Sequence, residues 1–349
     1  MRELKRREVT ANFLSLALTL GAAFFFLALL IFLLSGEPRR ALQYLFIGPF
    51  SNPYYFGNWI NASVPLILTG LGAAVAFQAS LFNLGGEGQV YVGGLSVYLL
   101  SLVIAPGAGV FALPLLIGGA ALAGAAVAGL SGFFKMRWRT DELISSFLIS
   151  SALILIVDQL ITGPFKDPHT NLMATPVLPR GLSLGRIFPP SSLNGSLFIA
   201  LALAVLLFFY LYRTHQGYET RLCGVNREFA RYGGIPVNRY FLLPLLYSGA
   251  LHGLAGALAV TGTYGKVLKG FSAGMGWNGI AVALIARNHP LWVIPAALFF
   301  AFLESGAKIA MIHTDITLEV STVAQAVVFF LITSRWIREY FLYGTGRQT

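Results

Sequence analysis

Residues equipped for chemistry are few in this chain, and most lie in apolar surroundings. The run LFNLGGEGQ at 81–89 sets Asn83, Glu87 and Gln89 beside Gly85, Gly86 and Gly88 at the edge of an apolar stretch. A carboxylate there is costly unless donors or water satisfy it. Glycines that interrupt a helix expose backbone N–H and C=O groups, which a membrane tolerates only against protein or a water-filled cavity. Two roles fit: contact with a polar solute, or support of a gate in which Glu87 caps the broken helix. Other polar groups at apolar depth are Asp158, His252, Asn278 and Glu304. Glu304 precedes Lys308 by four residues, the spacing at which an acid and a base satisfy each other on one helix. Asp158 falls near the outer end of its stretch, within reach of headgroups, and a lone His252 reads as a hydrogen-bonded core residue. Catalytic patterns are missing: there is no H-E-x-x-H, no G-x-S-x-G and no G-x-x-x-x-G-K-[ST]. The chain therefore cannot hydrolyse ATP by itself. Its single cysteine, Cys223, excludes an internal disulfide and a multi-cysteine metal site.

The elements that must carry these residues follow from composition. Of 349 residues, 56% are hydrophobic and only 11% charged, with a mean hydropathy of +0.72. Soluble domains carry about a quarter charged residues. Apolar windows near 11–34, 61–80, 86–104, 111–133, 142–162, 196–212, 240–262, 276–288, 290–310 and 318–336 predict an all-α, polytopic membrane protein of about ten transmembrane helices, a single domain over 1–349. The apolar part of the first window is too long for a cleaved signal peptide. The net charge of +10 raises nucleic acid as a partner, but the basic residues lie between the spans. With the N-terminus in the cytoplasm, sixteen of the 24 Lys and Arg fall inside and seven outside, with Lys308 near a span end, which places both ends inside and points to membrane rather than nucleic acid.

Three connections depart from short polar loops. Residues 41–47 read as an amphipathic helix at the outer surface. The 163–195 segment holds six of the 16 prolines and is expected to form an irregular outer loop open to a partner. The 213–239 segment is too polar to span; it joins a polar turn to a short cytoplasmic helix, with Asn226 as N-cap and Gly233 and Gly234 as stop. Such a helix fits a groove on a separate motor chain, or rests on anionic lipid. Small residues at 120, 124, 128 and 132, and at 249 and 253, predict close helix packing. Residues 67–76 resemble 252–260, and each run is followed by a glycine-rich break (85–94 and 270–279), a weak inverted repeat with broken helices in matching places.

The runs LFNLGGEGQ (81–89), CGVNREFARYGGIPV (223–237) and GIAVALIARNHP (279–290) together resemble permease subunits of bacterial ABC importers in the ribose and branched-chain amino-acid permease superfamily, above all its nucleoside branch. The resemblance covers about 60–340. It implies two permease subunits, with a heterodimer favoured, two ATP-binding subunits, an extracytoplasmic substrate-binding protein and a place in the bacterial inner membrane. It implies no cofactor on this chain, ATP being bound by the partner. Carried over position by position, Gly224, Asn226, Ala230 and Gly234 fall in the ATPase-coupling helix, and Asn83, Glu87, Gly88 and Gln89, joined by Asn278, in the translocation path or gate. Relatives commonly read N-I-G-A-E-G-Q where this chain has Leu84 and Gly86. The expected function is import of nucleosides, with simple sugars second. The competing readings are an ion-coupled secondary transporter using Glu87, Asp158 or Glu304 as proton carrier, and an intramembrane enzyme, for which no catalytic cluster is visible.

Overall fold

The computed structural model describes residues 24–33, 35–104, 111–179 and 181–317, with single positions beyond them at 21, 109, 319, 322, 323, 325–327 and 330. Among the described residues every extended regular element is a helix. An apolar helix α1 (Phe24–Leu33) is followed by α2 (Pro38–Ile47). Six helices are long and apolar enough to cross a bilayer: α3 (Pro53–Gln78), α5 (Ala112–Trp138), α6 (Glu142–Thr162), α7 (Ser196–Arg213), α10 (Arg239–Ala259, prolonged by a π turn to Tyr264) and α12 (Pro290–His313). Between them lie α4 (Gly86–Val103), α8 (His215–Val225), α9 (Arg227–Tyr232) and α11 (Met275–Ile285).

By length and composition the described residues hold six spanning helices, not the expected ten. Helix α4 fills the 86–104 window, but its first turn carries Glu87 and Gln89, and it is not among the six. The expected span at 276–288 is only the 11-residue α11, whose length of about 16 Å falls well short of the ~30 Å hydrocarbon core. Of the first window only 24–33 is described, and 318–336 lies outside the described residues apart from the single positions named.

The chain divides into two compact units, Met1–Trp59 with Phe299–Thr349, and Ile60–Leu298. In the first, Leu27, Ile31, Ala41, Leu45, Ala307, Ala310 and Ile316 form the core. Helix α2 is amphipathic: Ala41 and Leu45 are buried while its other residues stay at least partly exposed. The Asp315 carboxylate accepts from the Ser35 hydroxyl (2.5 Å) and the Gly36 N–H (2.7 Å), and those bonds, the hydroxyl first, hold its pKa below the usual value. Glu304 and Lys308 meet at 2.6 Å, as their spacing predicts.

In the second unit, lipid as apolar as leucine offers helices no reward for burying side chains, so backbone proximity must hold them. Helices α5 and α10 run antiparallel and touch through small residues: a Cβ on Gly249 would lie 2.3 Å from the Gly124 carbonyl oxygen, and one on Gly253 2.4 Å from that of Ala120. Only 22% of the α5 window and 28% of the α6 window are buried, against 78% for α3, so α5 and α6 lie largely exposed on the chain's surface while α3 is enclosed. The described residues of the 163–195 segment contain no helix, yet the segment is fastened: Thr175 N–H donates to the Val267 carbonyl (2.9 Å), Leu178 to Gly265 (2.8 Å) and Leu184 to Thr261 (2.9 Å). Buried Asn194 and Asn61 join across the same region at 3.1 Å. The glycine-rich breaks expected at 85–94 and 270–279 lie earlier: α3 gives way to α4 across 79–85, residues 86–94 being the first turns of α4, and α10 with its π turn gives way to α11 across 265–274.

Candidate functional site

The two breaks meet. The Glu87 carboxylate, buried in the first turn of α4, accepts from the Ser272 hydroxyl and from the backbone N–H groups of Gly274 (3.2 Å) and Gly276 (2.7 Å). Gly274 and Gly276 belong to the start of α11, where unpaired N–H groups and the helix dipole both favour an anion. Glu87 thus caps a neighbouring helix across the joint. A Cβ on Gly276 would lie 2.3 Å from the Glu87 nitrogen, so a residue without a side chain is required there.

The break at 79–85 is satisfied in the same way. Asn83 and Gln89 exchange reciprocal amide bonds, both 2.9 Å, and Asn83 also donates to the Ser248 hydroxyl of α10 (2.8 Å). The Gly85 N–H returns to Asn83 Oδ1 at 3.0 Å. Two hydroxyls of α6 take further donors: Ser146 accepts from the Leu84 N–H (3.1 Å) and Ser150 from the Gly88 N–H (2.7 Å). Gly88 packs on Ser150 so tightly that a Cβ would lie 2.7 Å from its Cα. His252, fully buried, has Nδ1 2.7 Å from the Ser248 carbonyl, so Nδ1 carries the proton, while Nε2 has no hydrogen-bond partner among the described residues and faces Gly86. With a Cβ at 86 lying 2.5 Å from that nitrogen, a residue without a side chain at this position is what admits the ring.

On the polar connection, residues expected as a turn form α8, capped by the Thr214 hydroxyl accepting from the Gly217 N–H (3.1 Å). Helix α9 follows, with Asn226 Oδ1 accepting from the Phe229 N–H (3.0 Å) and Gly234 beyond it in the left-handed region at φ 81°. Cys223, Ala230, Val237 and Tyr240 make a small core beneath. Burial raises the Cys223 thiol pKa and lowers that of the Arg227 guanidinium. Val225, Phe229 and Tyr232 are exposed by 84%, 61% and 92%, an unusual apolar display on a segment too polar to enter lipid.

Residues 55–333 match the family described as branched-chain amino acid transport system / permease component. The chain belongs to that family. The permease is 35% identical to a probable riboflavin import permease protein of Treponema pallidum, over 92% of this chain and 85% of that one. It is 31% identical to a guanosine ABC transporter permease protein of Bacillus subtilis, over 88% and 89%. A glucose ABC transporter permease protein of Haloferax volcanii is 29% identical, over 88% and 83%. The chain is an ABC transporter permease component and not an enzyme.

In the permease, Asn83, Glu87, Gly88 and Gln89 converge on one joint, whereas Asn278, half-buried in the first turn of α11, takes no part in that network among the described residues. Gly224, Asn226, Ala230 and Gly234 lie together in α8, α9 and the turn after them. Sequence reasoning missed Ser146, Ser150, Ser248 and Ser272, which accept or donate at the joint, and Arg227, which reaches the end of α3. Ser146 and Ser150 stand four residues apart in an apolar helix, a spacing that marks one polar stripe.

Proposed function

We propose that the permease forms the translocation path of an importer driven by a separate ATP-binding subunit, which α8 and α9 engage from the cytoplasm. The observation that carries this reading is the exposed Val225, Phe229 and Tyr232 on a segment rigidly tied to the membrane helices by Gly224 and Arg227. In the same reading the Asn83–Gln89 joint is the gate, both chain ends are cytoplasmic, and the membrane is the bacterial inner membrane. The chain itself holds no cofactor, since ATP binds its partner. A second, different permease and an extracytoplasmic binding protein complete the assembly. The cargo we propose is a nucleoside, with simple sugars second; the Treponema relative adds riboflavin, which, like a nucleoside, joins an aromatic nitrogen ring system to a polyhydroxylated five-carbon unit. Engagement of both Glu87 carboxylate oxygens by three of the protein's own donors speaks against a free proton carrier there.

The test is uptake into vesicles holding the full complex, with guanosine, riboflavin and glucose as competing labelled solutes. Transport that continues after removal of the ATP-binding subunit refutes the reading. Tyr232→Ala is expected to weaken subunit association at least about tenfold, since exposed aromatic anchors often carry more than 1.4 kcal/mol at an interface.

A further inference from the structure

Helix α3 ends in a left-handed cap. The Leu81 N–H donates to the Ala76 carbonyl (3.0 Å), the Ser80 N–H to that of Phe77 (2.9 Å), and Ser80 sits at φ 51°. Carbonyls at and beyond such an end need outside donors, and positive charge is favoured there. The α8–α9 segment supplies both. The Arg227 guanidinium donates to the carbonyls of Ala79 (3.2 Å) and Ser80 (3.1 Å) while lying 4.6 Å over the Phe241 ring. The Ser80 hydroxyl donates in return to the Gly224 carbonyl at 2.6 Å. Gly224 is pressed so close that a Cβ would lie 2.2 Å from the Gln78 carbonyl oxygen. Three residues beyond Ser80, the chain enters the amide pair of Asn83 and Gln89.

We propose that Arg227 is a positioning residue that, with Ser80, latches the α8–α9 segment to the end of α3 and so delivers its displacement to the Asn83–Gln89 joint. This inference rests on the reading that α8 and α9 engage the ATP-binding subunit. The chain between latch and joint is too short to absorb a displacement: 81–82 is all that separates Ser80 from Asn83. A lysine at 227 reaches a carbonyl with one ammonium but lacks the planar fork that serves two carbonyls and stacks on Phe241.

The experiment uses the assembled complex in vesicles, with Phe82→Cys as reporter at the break and the parent chain as blank for buried Cys223; Phe82 is 47% exposed. Maleimide labelling of residue 82 is measured at rest and during ATP hydrolysis, alongside solute taken up per ATP. Arg227→Gln is expected to abolish the ATP-dependent change in labelling and to lower uptake per ATP at least about tenfold, the scale set by losing two bonds from a charged donor. Arg227→Lys falls between Gln and parent. An Arg227→Gln chain that keeps both the labelling change and the uptake ratio overturns the latch alone. Should Arg227→Gln not assemble, Ser80→Ala decides: reduced uptake per ATP supports the latch, and parental uptake per ATP overturns it. Labelling of residue 82 that ignores ATP in the Phe82→Cys chain with Arg227 intact, with uptake independent of ATP, refutes the docking reading and the latch with it.

Discussion

Replacing Glu87 by Gln keeps shape and volume while removing the charge and one acceptor. The carboxylate holds two donors, Ser272 hydroxyl and Gly274 N–H, on Oε1 and a third, Gly276 N–H, on Oε2. An amide offers one oxygen, so its NH2 group must face a backbone N–H or the serine. Bonds to a charged acceptor contribute about 1.5–3 kcal/mol each and neutral ones about 0.5–1.5, so losing one and weakening two costs about 3–5 kcal/mol. Helix α11, short and begun by glycines, has no side-chain cap of its own to compensate. The assay is thermal unfolding of the purified complex, with uptake measured on the same preparation. Glu87→Gln is expected to lower the unfolding temperature and to cut uptake in proportion to the folded fraction. Glu87→Ala strands all three donors and is expected to be worse. Unchanged thermal stability in Glu87→Gln, with uptake abolished, would falsify the capping account and return Glu87 to solute or proton contact.

Three further outcomes are expected. Gly86→Ala drives a methyl to about contact-violating distance of His252, whose ring also abuts Gly72, so it costs about 1–3 kcal/mol; a Gly86→Ala/His252→Ala double variant should lose less than the two single losses added, and strict additivity counts against the pairing. Gly249→Val should prevent close approach of α5 and α10 and abolish stable expression, whereas Gly118→Val on the same α5 helix, with open space around its Cβ position, should express as the parent does. Cys223 is 1% exposed with its thiol pKa raised by burial, so the thiolate is scarcer than usual at neutral pH and maleimide labelling of the folded chain should be slow and still climbing above the ordinary thiol value of 9.0; rapid labelling at pH 7 contradicts the burial.

What the sequence revealed and what it concealed divide along physical lines. Apolar length is local, so α6, α7, α10 and α12 are legible to within about three residues, whereas α3 begins at Pro53, eight residues before its expected window, because the polar first turns there carry no hydropathy signal, and α5 runs on to Trp138 past its basic end; the glycine stripes on α5 and α10 announce their contact because no other side chain permits it. The N-cap at Asn226 is equally local. Span counting was least legible where polar first turns and glycine breaks interrupt a helix: the expected span at 276–288 is the 11-residue α11, apolar enough to read as a span from its composition. The joint's composition was visible in Asn83, Glu87 and Gln89, but its partners were not, because Ser146, Ser150, Ser248 and Ser272 lie 62 to 185 residues away along the chain. Serine in an apolar helix is common, and nothing in its neighbours says whether its hydroxyl turns back on its own backbone or across to another helix. Arg227 was hidden for a similar reason, since a basic residue on a polar helix looks like any other until its carbonyl acceptors are seen.

The joint's wiring also limits how a gate at this place can work. Its donors and acceptors come from α4, α6, α10 and the segment leading into α11, and each bond named lies between buried or half-buried groups. Moving α4 away from any one neighbour strands a donor where little water is at hand, at about 1–3 kcal/mol for each group left unpaired. Moving it from all of them together costs several times that, unless water or a polar solute enters and takes over the bonds. Intermediate positions are therefore disfavoured relative to the two ends, closed with protein donors and open with water. A gate built this way would switch as a set, with water taking over the bonds that Ser146, Ser150 and Ser272 hold when it is shut.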